Sequence, residues 1–168
     1  MTNQNLSVSS ASSSALPLLQ SFAATVAAGP DPDNADVLAT RERAIPWLRG
    51  QGLLAADAML TGSEHGALLR LRDAFREALA AHAAGRNASP DIAARLTRAL
   101  SDGRLVVTIT DAGSVKLATA ARSAYPSIVA AIAVAIAEAD AAGAWMSLTQ
   151  PSPPVPPSAS REPDPVNQ

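Results

Sequence analysis

The chain has 168 residues, 48% of them apolar and only 3% aromatic, so it holds one modest core built mainly from alanine and aliphatic side chains. A formal charge of -2 excludes a protein that coats phosphate backbones, which needs a strong basic surplus. With no cysteine, disulfides, thiolate metal sites and cysteine nucleophiles are excluded, and His65 and His82 are the only imidazoles.

Residues 1–15 are serine-rich and polar, without the basic start or compact apolar centre of a signal peptide, and are expected to be a disordered tail. From Leu16 the spacing of Leu19, Phe22, Ala23 and Val26 predicts a helix ended by Gly29 and the PDPDN turn at 30–34. Thr40 is an expected N-cap for a second helix carrying Ile45, Leu48 and Trp47, with Pro46 bending it. TGSE at 61–64 reads as a capping box opening the longest helix, terminated by Gly85. Its inward stripe is expected to be Leu68, Leu71, Phe75, Leu79 and His82, with Arg70, Arg76 and Glu77 solvated.

Ser89 and Pro90 open a fourth helix with Ile92, Leu96 and Leu100 on one side. The period then drops to about 2. RLVVTIT at 104–110 and SVKLAT at 114–119, joined by Asp-Ala-Gly, predict a hairpin that must lie on helices. A last helix is expected from Pro126 through Ala141. Its apolar run at 127–137 is too short for a bilayer and is closed by Glu138 and Asp140, which points to a cytoplasmic protein without a membrane span. The prolines of residues 149–168 predict a second disordered tail. The expected fold is therefore mainly α with one β-hairpin: about five helices with a two-stranded antiparallel ribbon before the last.

Chemistry is sparse. No nucleophile elbow, GxxxxGK loop or HExxH occurs, so no catalytic residue, metal or cofactor is expected and the chain is read as a non-enzyme. Asp73 and Glu77 sit among arginines at helical spacing, the pattern of surface ion pairs. Arg70, Arg72 and Arg76, with Arg95, Arg98 and Arg104 on the next segments, form a candidate ligand-facing or weakly DNA-facing basic patch if the two helices pack side by side. Trp145, just past the last helix, is expected to fold back and seal the core.

FAATV at 22–26, PWLRGQGLL at 46–54, LRDAFREAL at 71–79, the LVVTIT strand and AAGAWMSL at 141–148 occur in the order seen in the ABATE domain. In this it resembles the N-terminal part of CGNR zinc finger proteins, described as stress-induced transcription regulators, over residues 16–148. The resemblance implies a regulatory or sensory domain. In the family an arginine and a lysine follow the tryptophan, then a cysteine-rich zinc module; here Ser147 and Thr149 stand at those positions and nothing matches from Gln150 onward. The expectation is a member lacking its zinc-binding DNA-contact module, through truncation, a frameshift or a single-domain design. Ala23 and Ala24 replace the family's valine and asparagine, which removes a polar group from any ligand pocket near Phe22. A homodimer through the 127–137 run is a further expectation. The alternative function is an interaction module offering PSPPVPP at 151–157 to a protein partner.

Overall fold

The computed structural model describes residues 9–26, 36–109, 111–113, 115–119, 123–144 and 148. Trp145 and the proline-rich segment, on which the seal and the protein-partner expectations rest, lie outside them, as do residues 1–8. In chain order the described elements are α1 (Ser9–Ala23), α2 (Arg41–Gly50), α3 (Gly62–Ala83), α4 (Pro90–Leu100), β1 (Leu105–Ile109), β2 (Val115–Thr119) and α5 (Ala124–Ala141). The fold is mainly α.

Three helices begin where a side chain satisfies a first-turn N–H group. The Arg43 N–H donates to Thr40 Oγ1 at 3.4 Å, and the Ile92 N–H to Ser89 Oγ at 3.3 Å. At α3 the capping box is reciprocal: Glu64 N–H donates to Thr61 Oγ1 at 3.2 Å, and Thr61 N–H donates to Glu64 Oε2 at 2.8 Å. That helix stops at Gly85, whose φ of 66° is left-handed, and whose N–H closes on the His82 carbonyl.

Three boundaries differ from expectation. Helix α1 starts at Ser9, inside the serine-rich stretch expected to be disordered, and Ala15 at the end of that stretch is buried in the core. It also ends at Ala23, well before Gly29. The Thr25 hydroxyl, itself buried, donates to the Phe22 carbonyl at 2.8 Å, and the Thr25 carbonyl accepts from Val37 at 2.9 Å, so the chain leaves the helix there. Helix α5 starts at Ala124 with Pro126 in its first turn, where a missing N–H costs no helical bond.

The centre of the core is a row of rings. Phe22 is fully buried, with Trp47 at 6.3 Å on one side and Phe75 at 6.1 Å on the other, both tilted. Leu19, Leu38, Leu48, Leu68 and Leu71 fill the space around the rings, together with Ile128, Val129 and Ile132 from α5. Helix α5 packs against α1, α4 and α3. By length and composition it could cross a membrane, unlike the shorter 127–137 run weighed above, but its buried face makes it a central core helix.

Strands β1 and β2 pair antiparallel, with Leu105 opposite Thr119 and Ile109 opposite Val115. The expectation that the ribbon lies on helices holds for one strand only. β2 runs against α5, whereas every residue of β1 is exposed, up to 73% at Ile109. The loop into β1 approaches α5 at Gly103: a Cβ there would sit 2.7 Å from the Ala130 nitrogen, so only glycine permits this spacing.

Candidate functional site

Helices α3 and α4 pack side by side, and α5 begins beneath their ends. The space between them is a cleft of about 650 Å³. α3 presents Arg70, Asp73 and Glu77 to it; these positions lie three, four and seven apart and so share a face. α4 contributes Arg95 and Arg98, the following turn Ser101 and Asp102, and the first turn of α5 Tyr125. Alanines at 67, 74 and 99 lie between the charged groups and keep the cleft open.

The arginines expected to form one basic face divide into groups with different work. Arg72 is only 6% exposed at its side chain; its Nη1 donates to Asp36 Oδ1 at 2.6 Å and its Nε to Asp73 Oδ1 at 3.1 Å. Asp36 Oδ1 also accepts the Leu38 N–H at 2.9 Å, so this buried pair fastens the segment before α2 to α3. Arg76 is half-buried and donates to the Ala23 carbonyl, a cation placed at the C-terminus of α1. Both residues are structural ties and neither lines the cleft, so the continuous patch of Arg70, Arg72, Arg76, Arg95 and Arg98 does not form. The expectation that Arg76 is solvated is corrected with it.

Arg95 does reach the cleft. Its two Nη groups meet Glu77 at 3.3 and 2.5 Å, and Asp91 lies 3.4 Å from its Nε. The Glu77 hydrogen bond, then the Glu77 charge, raise the Arg95 pKa above its usual value. Arg70 and Arg98 line the same cleft and make no side-chain hydrogen bond or ion pair among the described residues. Arg104 borders a shallower neighbouring hollow of about 400 Å³ that shares Ser101, Asp102 and Tyr125.

Tyr125 and Asp102 are functional candidates that sequence reasoning passed over. The ring of Tyr125 is buried at 6% exposure, yet the residue borders both hollows. Its hydroxyl makes no hydrogen bond among the described residues. Burial raises its pKa, the Asp102 charge adds to that, Arg70 opposes it, and Glu64 adds a little more. At neutral pH it is therefore a protonated donor, under the influence of charges of opposite sign. The available signal was its isolation: it is the chain's one tyrosine, in the first turn of a helix of alanine and isoleucine.

The two histidines stand apart. His65 Nε2 contacts the Leu38 carbonyl at 2.8 Å, and His82, expected on the inward stripe, is half-buried in the last turn of α3. Among the described residues no group of three His, Cys, Asp or Glu side chains could hold a metal ion. In chemical terms the cleft gathers guanidinium forks, a phenol, carboxylates and small apolar surface around one space.

No curated protein and no solved structure matches the chain. One family model does, over residues 16–161, running past Leu148 and into the proline-rich segment where the resemblance had been expected to stop. Its description reads "putative stress-induced transcription regulator". With most of its length under that model, the chain belongs to the ABATE family.

Proposed function

We propose that this ABATE domain is the ligand-responsive regulatory part of a transcription regulator, with the cleft between α3, α4 and the start of α5 as its sensing site. The observation that supports it is the set of uncommitted polar groups, Arg70, Arg98 and the Tyr125 hydroxyl, around one cavity of about 650 Å³. That volume lies within the range of roughly 300 to 1,000 Å³ common for small-molecule sites. In this reading the domain holds its ligand without transforming it, works in the cytoplasm, and carries neither metal nor cofactor.

Helix α4 is the moving part. None of its residues is fully buried, and the cleft-side link to α3 is the solvent-exposed Arg95–Glu77 pair, which water screens. A ligand that binds better to one α4 position than another shifts the population by that difference in affinity. The β ribbon follows α4 in the chain and would carry the shift to the surface.

A thermal-shift screen of small metabolites against the wild type and an Ala99→Trp variant tests this. Ligands should raise the melting temperature of the wild type, and the indole filling the cleft should abolish the rise. Stabilisation equal in both proteins would show that the cleft is not the site.

A further inference from the structure

The charges around the cleft can be paired off one by one. Glu77 is taken by Arg95, with the closest contact at 2.5 Å. Asp73 is taken by the buried Arg72 at 3.1 Å. What remains among the lining groups is Arg70 and Arg98, whose side chains make no hydrogen bond or ion pair among the described residues, and the Asp102 carboxylate in the same state. Two guanidinium groups and one carboxylate thus line one space without a side-chain partner among the described residues. Arg70 and Asp102 act on Tyr125 with opposite sign, yet they are not paired with each other.

A simple anion entering this space would meet Asp102, and a simple cation would meet two arginines. A ligand carrying both signs satisfies every uncommitted group. Guanidinium forks match the geometry of a carboxylate, and the neutral Tyr125 hydroxyl can donate to it as well. Asp102 accepts from an ammonium group. Ser101, whose hydroxyl donates to the Arg98 carbonyl at 2.7 Å, keeps lone pairs free to accept a second ammonium hydrogen. Between these polar ends lie the methyl groups of Ala67, Ala74 and Ala99, a surface for apolar side chains.

We propose that the cleft takes a zwitterion of the short-peptide type, its carboxylate on Arg70 and Arg98, its protonated amine on Asp102, and its apolar side chains over the three alanines. The proposal rests on the cleft being the ligand site. The cleft's size favours a dipeptide over a single amino acid, since a dipeptide places its two charges farther apart and fills more of the volume.

Calorimetric titration of the full chain with leucyl-leucine, its N-acetyl derivative and its methyl ester provides the test. The free dipeptide should bind, and blocking either end should weaken binding by about tenfold or more, the usual effect of removing one charge-assisted hydrogen bond. Asp102→Asn should cost the free dipeptide a similar factor and leave the acetylated form unchanged; Arg98→Ala should weaken both forms that keep a carboxylate. Equal affinity for free and acetylated dipeptide would overturn the zwitterion while leaving the cleft as an anion site. Binding untouched by either substitution, or none of the three compounds binding at millimolar concentration while the variants keep wild-type melting curves, would overturn it too. The first of these results would also move the ligand site away from the cleft.

Discussion

Replacing Gly103 with alanine tests the contact that sets the spacing between α5 and the turn after α4. The added Cβ would lie 2.7 Å from the Ala130 nitrogen, and 3.0 Å from both the Ala130 Cα and the Val129 carbonyl carbon. All three are backbone atoms of a buried helix, so no side chain can swing aside. Relaxed non-bonded contacts of this kind sit near 3.5 to 4.0 Å, so the turn and α5 must separate by about 1 Å. Overpacking of this size typically costs about 1–3 kcal/mol, which for a domain of this length lowers the melting temperature by roughly 2–12 °C. Because Asp102 precedes Gly103 and Tyr125 lies in the first turn of α5, the same shift should widen the cleft. The assay is scanning calorimetry of Gly103→Ala beside Gly50→Ala. At Gly50 an added Cβ meets nothing within 4 Å, so that variant should match the wild type or gain up to about 1 kcal/mol. Equal melting temperatures for the two variants would refute the packing argument.

Further outcomes follow from the same geometry. Asp36→Ala leaves the buried Arg72 with Asp73 alone and should cost about 3 kcal/mol by urea denaturation, while Arg72→Met, an apolar replacement of similar bulk, should cost clearly less; a larger loss for Arg72→Met would contradict the reading of a buried ion pair. Thr61→Ala removes the reciprocal cap of α3 and should lose about 1 kcal/mol, measurable in the same denaturation series. The folded-state pKa of Tyr125 lies above its ordinary 10.0, so the folded protein holds this proton longer than the unfolded chain does. Its contribution is therefore complete below pH 10.0 and falls as pH rises from there through the folded value. Tyr125→Phe should flatten that part of the alkaline stability curve, and an unchanged slope would disprove the assignment.

The helix starts were legible because capping is local. Thr40, Thr61 and Ser89 each satisfy an N–H three residues away, and that spacing is written directly in the sequence. The order of short segments likewise pointed to the family that the chain matches. The start of α1 was hidden because SSASSSA at 9–15 carries no large apolar side chain at helical spacing. Arg72 was misplaced for a different reason. It lies four residues after Leu68 and three before Phe75, on the inner face of α3, and its charge outweighed its position in the reading. The cleft itself depends on pairings such as Arg95 with Glu77 and on Tyr125 arriving from a helix far along the chain. Periodicity places residues on a face but does not say which faces meet. The strands were legible from their β-branched runs, but with apolar residues on both sides of β1 nothing indicated that all of it would stay in water.

That outward strand makes the tip at Asp111–Gly113 a natural port for engineering. β2 meets the bundle at α5, and the three tip residues are exposed, with Gly113 at a φ of 76°. A reporter peptide or dye spliced at Ala112 would sit away from the row of rings and should leave the melting curve almost untouched, giving an optical handle on any displacement that begins at α4.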